Sequence, residues 1–363
     1  MNPVKIFVIN FGSTSTKIAY FEDETCVLRE SINHPVEEIK ACATVNDQYG
    51  LRKAAILAFM NEHGLKLQEM DSITTRGGQT EPIKGGTYRI NEAMVEQVCS
   101  GEYGHHVCGV GVLVAYDLCK ESGHAVPLTT DTPTTDEMDA VARYSGLKEI
   151  SRVSCVQALN TKAMAKYYAE QNGKAFEDVR VITVMLGGGI GVCAIRDGRM
   201  VDAPDGLEVE GPFSNNRCCT VPVGQLVKLC YSGKYDLDGM IRHINGEAGL
   251  MAYLGTTDIR AIMKRIEDGD TYAGEVMEAM CYQTAKEIGA MAAVLEGRVD
   301  AVILIGGMAN VPFITEHIKR RVSFIAPVVI MPGEREMEAL AEGSLQALRG
   351  EIPMQTFAPS NQA

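Results

Sequence analysis

Residues able to handle phosphate recur along most of this chain. The first group is Asn10-Phe11-Gly12-Ser13-Thr14-Ser15-Thr16, an amide and four hydroxyls around one glycine, placed between an apolar run at residues 6–9 and a strand-like run at 17–21. Glycine lets a backbone come close to a ligand, and hydroxyls with free backbone N–H groups donate to anionic oxygens. An ordinary hairpin turning on serine and threonine has the same composition. Arg76 precedes Gly77-Gly78 and offers a guanidinium to an anion, or is a surface arginine before a turn. His105 and His106 open a helical stretch; adjacent side chains diverge on a helix, so only one of them can face a site. Asp131 ends an apolar run at residues 125–130, where open α/β sheets hold their ligands, or it caps the helix expected next. Gly187-Gly188-Gly189 is a second loop suited to phosphate, and Gly306-Gly307 suits a flat nucleoside or a close helix–strand contact. Arg217 stands before Cys218-Cys219, a thiol pair open to redox chemistry that also serves as small apolar filler. Glu334, Glu336 and Glu338 cluster at a helix start, where carboxylates suit the helix dipole.

The elements that must position these groups read as alternating strands and helices. Residues 6–9, 17–21 and 26–30 read as strands and 36–62 as a helix; further helices are expected at 91–99, 107–120, after Glu137, and at 155–170 with Gln157 in the first turn. The opening pattern then returns. Residues 179–186 form a strand, the three glycines a loop, 190–196 a second strand, and Asp197-Gly198 a hairpin into 199–201. One such unit per domain would hold a polyphosphate from both sides. A helix at 270–295 has Met277, Met280 and Met291 on one apolar face, as a core helix does. Strands at 301–305 and 326–331 and a helix at 334–349 close the chain. A boundary near 146–151 gives domains of 1–150 and 151–334, with the last helix, about 335–350, packing back on the first domain.

Composition excludes several classes of function. The chain of 363 residues is 46% hydrophobic and 22% charged, as in folded proteins, and exceeds what one core usually organises. A net charge of −13 argues against nucleic acid or an anionic membrane as partner, though local arginines can still hold a small anion. Eleven scattered cysteines, odd in number and without a CxxC pair, fit reduced thiols. No segment reads as a signal peptide or membrane span, so a soluble cytoplasmic protein is expected.

In this order INFGSTSTK, RGG, GGTY, LGGG, GPF, PVGQLVKLCYSGKY, YLGT, YQTAKEIGAMAAVL, GG and FIAPVVIMPGEREMEALAEG resemble the butyrate kinases, short-chain fatty-acid kinases of the acetokinase family. The resemblance runs from Ile9 to about Gly350. It implies an α/β class, the duplicated RNase-H-like fold of the actin-like ATPases, with two domains flanking an ATP cleft. It further implies a homodimer formed through the second domain, and the reaction butyrate + ATP ⇌ butyryl phosphate + ADP with Mg²⁺. By the same resemblance Asn10, Gly12, Ser13, Thr14 and Lys17 belong to the first phosphate loop, Gly187, Gly188 and Gly189 to the second, and Gly306 and Gly307 to the adenosine site. Asn10 and Glu336 serve the metal, and Arg76 and Arg217 bind carboxylate and phosphoryl group. Asp131 orients that cluster, while His106 and Val156 lie by the substrate.

Several positions depart from the family pattern. Gln157 stands where the family has a histidine that donates to the phosphoryl group; it can donate a hydrogen bond but carries no charge. Met185 and Gly191 replace a histidine and a serine beside the second loop, Cys218 and Cys219 follow Arg217, and Arg335 replaces an asparagine. Two readings follow. One is an active carboxylate kinase with altered preference or reduced rate. The other is a nucleotide-binding homologue with little kinase activity and a regulatory or partner-binding role. A sugar kinase would need a carboxylate base for its hydroxyl nucleophile.

Overall fold

The computed structural model describes residues 2–360. Its strands are β1 (Lys5–Phe11), β2 (Ser15–Glu22), β3 (Thr25–Asn33), β4 (Ser72–Thr75), β5 (Thr87–Arg89), β6 (Val126–Thr130), β7 (Val181–Leu186), β8 (Ile190–Arg196), β9 (Arg199–Asp202), β10 (Ala301–Gly306), β11 (Val328–Pro332) and β12 (Met354–Thr356). They form two sheets. One runs β12-β5-β6-β4-β1-β2-β3 and the other β11-β10-β7-β8-β9. The same plan underlies both: an antiparallel meander (β1-β2-β3; β7-β8-β9) continued by two parallel strands (β4 and β6; β10 and β11).

Contacts divide the chain into two units. Of the described residues, unit 1 takes those up to Asp136, Ala158–Ala163 and those from Arg335 to Ser360; unit 2 takes Glu137–Gln157 and Met164–Glu334. The boundary drawn at 150/151 thus falls inside unit 2. Residues 137–150 are not helical beyond a short turn at Ala140–Arg143; the Asp139 N–H donates to the Val201 oxygen of β9 and its carbonyl accepts from the Ala142 N–H. The helix expected at 36–62 is broken into Val36–Ala41 and Tyr49–Glu62.

In unit 1 the central strand β1 is buried on both faces, which explains its continuous apolar run. Phe7, Ile9 and Phe11 meet one core, with residues of the helix Val107–Ser122. Ile6 and Val8 meet another, with Leu159 and with Met337, Leu340 and Ala341 of the helix Glu336–Arg349. Asn10 lies on the Ile6–Val8 face by the two-residue period of a strand, and this aims it at that helix's first turn. In unit 2 the helix Thr271–Val294 buries Met277, Met280 and Met291 against β7, β8 and β10 residues, so the methionine stripe is core. Among the described residues no helix is long and apolar enough to cross a membrane.

Candidate active site

In unit 1 three adjacent parallel strands end on candidate residues. Asn10 is at the end of β1, Arg76 follows β4 and Asp131 follows β6. The sequence places Asn10 and Thr16 in a loop with Lys17 opening the next strand, but the ladder continues through Asn10↔Lys17 and Phe11↔Thr16, leaving only Gly12–Thr14 as connection. Directly opposed residues share a sheet face, so half-buried Lys17 accompanies Asn10. Asn10 is buried, and its Nδ2 donates to Glu336 Oε2 at 2.6 Å. The other oxygen of Glu336, itself buried, lies 3.7 Å from Arg76 Nε. Arg76 is held there by the glycines after it: Gly77 has φ of 84°, and a Cβ on Gly78 would sit 2.9 Å from the Cα of Gly109.

Asp131 has the left-handed φ of 42° and accepts from the Gly86 N–H and from Lys162 Nζ, both at 2.9 Å. Lys162 carries no sequence signal beyond its charge, since its partner is 31 residues away. His106 caps the helix Val107–Ser122, its Nδ1 accepting from the Cys108 N–H at 3.2 Å, while the His106 ring stays exposed. Burial pushes the neighbouring Cys108 thiol up to about 11, so it is not a ready nucleophile.

The Gly12–Thr14 loop exposes Ser13 and Thr14. Its carbonyls turn inward. The Gly12 and Ser13 oxygens accept from Arg52 Nη2 at 2.9 and 3.1 Å, the Ser15 oxygen from Arg52 Nη1 at 2.9 Å, and the Thr14 oxygen from the His34 N–H at 2.9 Å. Among the described residues the Ser13 and Thr14 N–H groups have no acceptor, and two outward amides on one turn are what an anion requires. Arg52 went unmarked in the sequence; the available signal was a charge on the same helical stripe as Ile56, Phe59 and Met60.

In unit 2 the glycine loop joins β7 to β8, closed by Gly187 N–H donating to Gly189 O at 3.1 Å. Gly187 and Gly188 have ordinary φ and no crowding neighbour within 3.4 Å of an added Cβ, so neither turn geometry nor packing calls for glycine there. Gly189 differs. Its missing Cβ leaves space for Arg217, whose Nη1 would lie 2.6 Å from that atom. Arg217 Nε donates to Asn245 Oδ1 at 3.1 Å, a partner without sequence signal. Gln157 is the N-cap of the helix Ala158–Gln171, not in its first turn, and its side chain makes no capping bond. Val156 is buried and faces Gly191, 3.8 Å from that residue's ideal Cβ.

Gly306 ends β10 with φ of 87°, and a Cβ on it would lie 2.5 Å from the Leu186 oxygen and 3.1 Å from Met185 Sδ. Strand-to-strand closeness, not a helix, therefore requires that glycine; Gly307 beside it is open. Cys218 is half-buried and Cys219 buried, with burial pushing the Cys219 thiol up to about 12, as filler would be.

Residues 156–328 match the model of the acetokinase family. Solved structures of similar fold include the acetate kinase of Porphyromonas gingivalis, at 18% identity over 95% of this chain and 100% of that one, TM-score 0.79. The propionate kinase of Francisella tularensis subsp. tularensis SCHU S4 shares 15% identity over 94% and 98%, TM-score 0.73. The acetate kinase of Entamoeba histolytica shares 14% over 94% and 98%, also at 0.73. The chain thus carries an acetokinase-family match over residues 156–328 and has the fold of the solved acetate and propionate kinases.

Proposed function

We propose that this protein is a short-chain carboxylate kinase that interconverts butyrate and ATP with butyryl phosphate and ADP. The observation that carries this reading is the buried Glu336, on whose two oxygens Asn10 and Arg76 converge at the strand ends beside the Gly12–Thr14 loop. A carboxylate nucleophile is already ionised near neutral pH, so the reaction needs no general base. One carboxylate oxygen bonds to the γ-phosphorus while the bond to the bridging oxygen of ADP breaks; that oxygen keeps the electron pair and no proton is required. The protein's task is to align two anions and neutralise the equatorial oxygens. Arg76 and Arg217 suit this because a guanidinium binds such oxygens two at a time and does not deprotonate.

A divalent cation fits the donor set. Asn10 gives its amide N–H to Glu336, leaving Asn10 Oδ1 without a donor among the described residues, and Glu336 supplies a carboxylate. No group of three or more His, Cys, Asp or Glu side chains able to hold a metal occurs among the described residues. Mg²⁺ usually takes one or two protein oxygens and completes its shell with phosphates and water, so Asn10 and Glu336 suffice. When bound it would screen phosphate charge. Asp131, fixed by Lys162, would orient the substrate-side cluster, with His106 and Val156 by the acid. The loops at Gly12–Thr14 and Gly187–Gly189 would take phosphates, and Gly306-Gly307 the adenosine.

Gln157 supports the second reading, a nucleotide-binding homologue with weak turnover, since a neutral amide replaces a charged donor at that position. Met185 adds to it, its side chain reaching both Gly187 and Gly306. Acyl-hydroxamate formation with Mg·ATP and acetate, propionate, butyrate or isobutyrate tests both. We expect product from the wild type and a rate about 10²-fold higher in Gln157→His, the worth of one electrostatic donor. Saturable ATP binding with no product from any acid in either protein would exclude the kinase.

Free thiols throughout fit a reducing compartment. A homodimer through unit 2 is supported by the apolar side chains Val223, Tyr231 and Leu237, each more than two-thirds exposed.

A further inference from the structure

Arg52 is completely buried, and all five N–H donors of its guanidinium are used on neutral acceptors. Nε donates to Gln48 Oε1 at 3.0 Å, Nη1 to the Ser15 oxygen and to Thr16 Oγ1, and Nη2 to the Gly12 and Ser13 oxygens. The ring of Phe11 lies beneath it, 4.9 Å from Cζ to centroid. No carboxylate accompanies it among the described residues. Burial draws it down to about 10, which leaves it a cation at neutral pH. A buried charge of this kind is usually paired with an opposite charge. Here three of its five bonds go to main-chain oxygens of one short turn, the turn whose Ser13 and Thr14 amides are left free.

We propose that Arg52 is the positioning residue of the β1–β2 loop: by gathering the loop carbonyls inward it fixes the Ser13 and Thr14 amides outward as a seat for a phosphoryl group, and its unpaired charge lies behind that seat. The inference rests on the reading of this loop as a phosphate site. It assigns to a helix outside the site both the loop's shape and part of its positive potential. The bound phosphate is then the nearest anion to a guanidinium that it never touches.

Titration calorimetry with Mg·ATP and, separately, adenosine tests this on wild type, Arg52→Met and Arg52→Lys. Arg52→Met should weaken Mg·ATP binding about tenfold or more, from lost charge-assisted bonds and a relaxed loop, and leave adenosine binding unchanged. Arg52→Lys keeps the charge but not the fork, and should fall between, about threefold weaker than wild type. A folded Arg52→Met with wild-type affinity for Mg·ATP would overturn the inference, as would equal losses for ATP and adenosine. Should Arg52→Met not fold, an Arg52→Lys protein with wild-type affinity overturns it equally. Should neither fold, hydrogen exchange in the wild type decides: slow exchange of Arg52 Nε–H in the ligand-free protein, with Mg·ATP protecting the Ser13 and Thr14 amides, supports the clamp, and fast exchange of that Nε–H refutes it. Thr14→Pro separates the two levels, because it removes one seat amide and leaves Arg52 in place. Unchanged Mg·ATP affinity in Thr14→Pro would refute the phosphate loop itself.

Discussion

Glu336 gives each of its oxygens a different partner, an amide on one side and a guanidinium on the other. Truncating the guanidinium should therefore damage chemistry more than binding. We expect Arg76→Ala and Arg217→Ala to lower the hydroxamate-forming rate by about 10²-fold to 10³-fold each while ATP affinity by calorimetry changes little. Near-normal rates in both would remove the arginines from the mechanism. Glu336→Gln keeps the shape of the Asn10 contact but removes the charge, so its main symptom should be a raised Mg²⁺ requirement, read as rate against free Mg²⁺ at fixed ATP. An unaltered Mg²⁺ curve would take Glu336 away from the metal. Asp131, at positive φ, has its carboxylate fixed by two contacts, the Gly86 N–H and Lys162 Nζ. Lys162→Met removes one of them and should raise the KM for the acid more than that for ATP.

Glycines divide by what the element around them needs. Gly306→Ala would put a Cβ against the Leu186 oxygen at a positive φ, and should destabilise by about 1–3 kcal/mol. Gly188→Ala meets nothing within 4 Å, so it should unfold at the wild-type temperature and yet bind nucleotide more weakly. Thermal melts with and without ATP compare the two, and a Gly188→Ala protein with full nucleotide stabilisation would count against the second phosphate loop. At this scale the sequence was informative where structure is local. The strand–glycine loop–strand units around Gly12 and Gly188 could be read because period and glycine lie within about twenty residues. Contacts set by tertiary structure could not be read. Asn10 and Thr16 join the ladder because β1 and β2 pair to their ends, Gln157 moves to an N-cap, and the three-residue strands β5 and β12 are too short to show a period. Arg52 reaches acceptors 36 to 40 residues away, so nothing beside it in the chain reveals its role.

The molecule carries a net charge of −13 and still buries the cation of Arg52 among neutral acceptors. Such an arrangement is sensitive to further protonation nearby. Thr16 Oγ1 accepts from Arg52 Nη1 at 3.1 Å and lies in hydrogen-bond contact with His34 Nε2 at 2.8 Å, so the buried imidazole shares a partner with the guanidinium. Burial, and then the charge of Arg52, lowers the pKa of His34 below the ordinary value. The unfolded chain therefore binds the extra proton first. Stability associated with His34 is intact above about pH 6.5 and is lost as pH falls through the lowered folded value. Denaturant unfolding between pH 7 and 5 should show a shallower acid decline in His34→Gln than in wild type; parallel curves would dissociate His34 from acid sensitivity.

Unit 1 is built from both ends of the sequence. Glu336 follows Asn10 by 326 residues, and β12 joins the sheet later still. On the ribosome, then, the first phosphate loop emerges early but its carboxylate partner emerges only after all of unit 2 has been synthesised. A nascent or prematurely terminated chain can form the second glycine loop and its arginine without ever assembling the Asn10–Glu336 pair. Translation itself thus postpones the pairing of Asn10 with Glu336 until the strands and helices of unit 2 have been made.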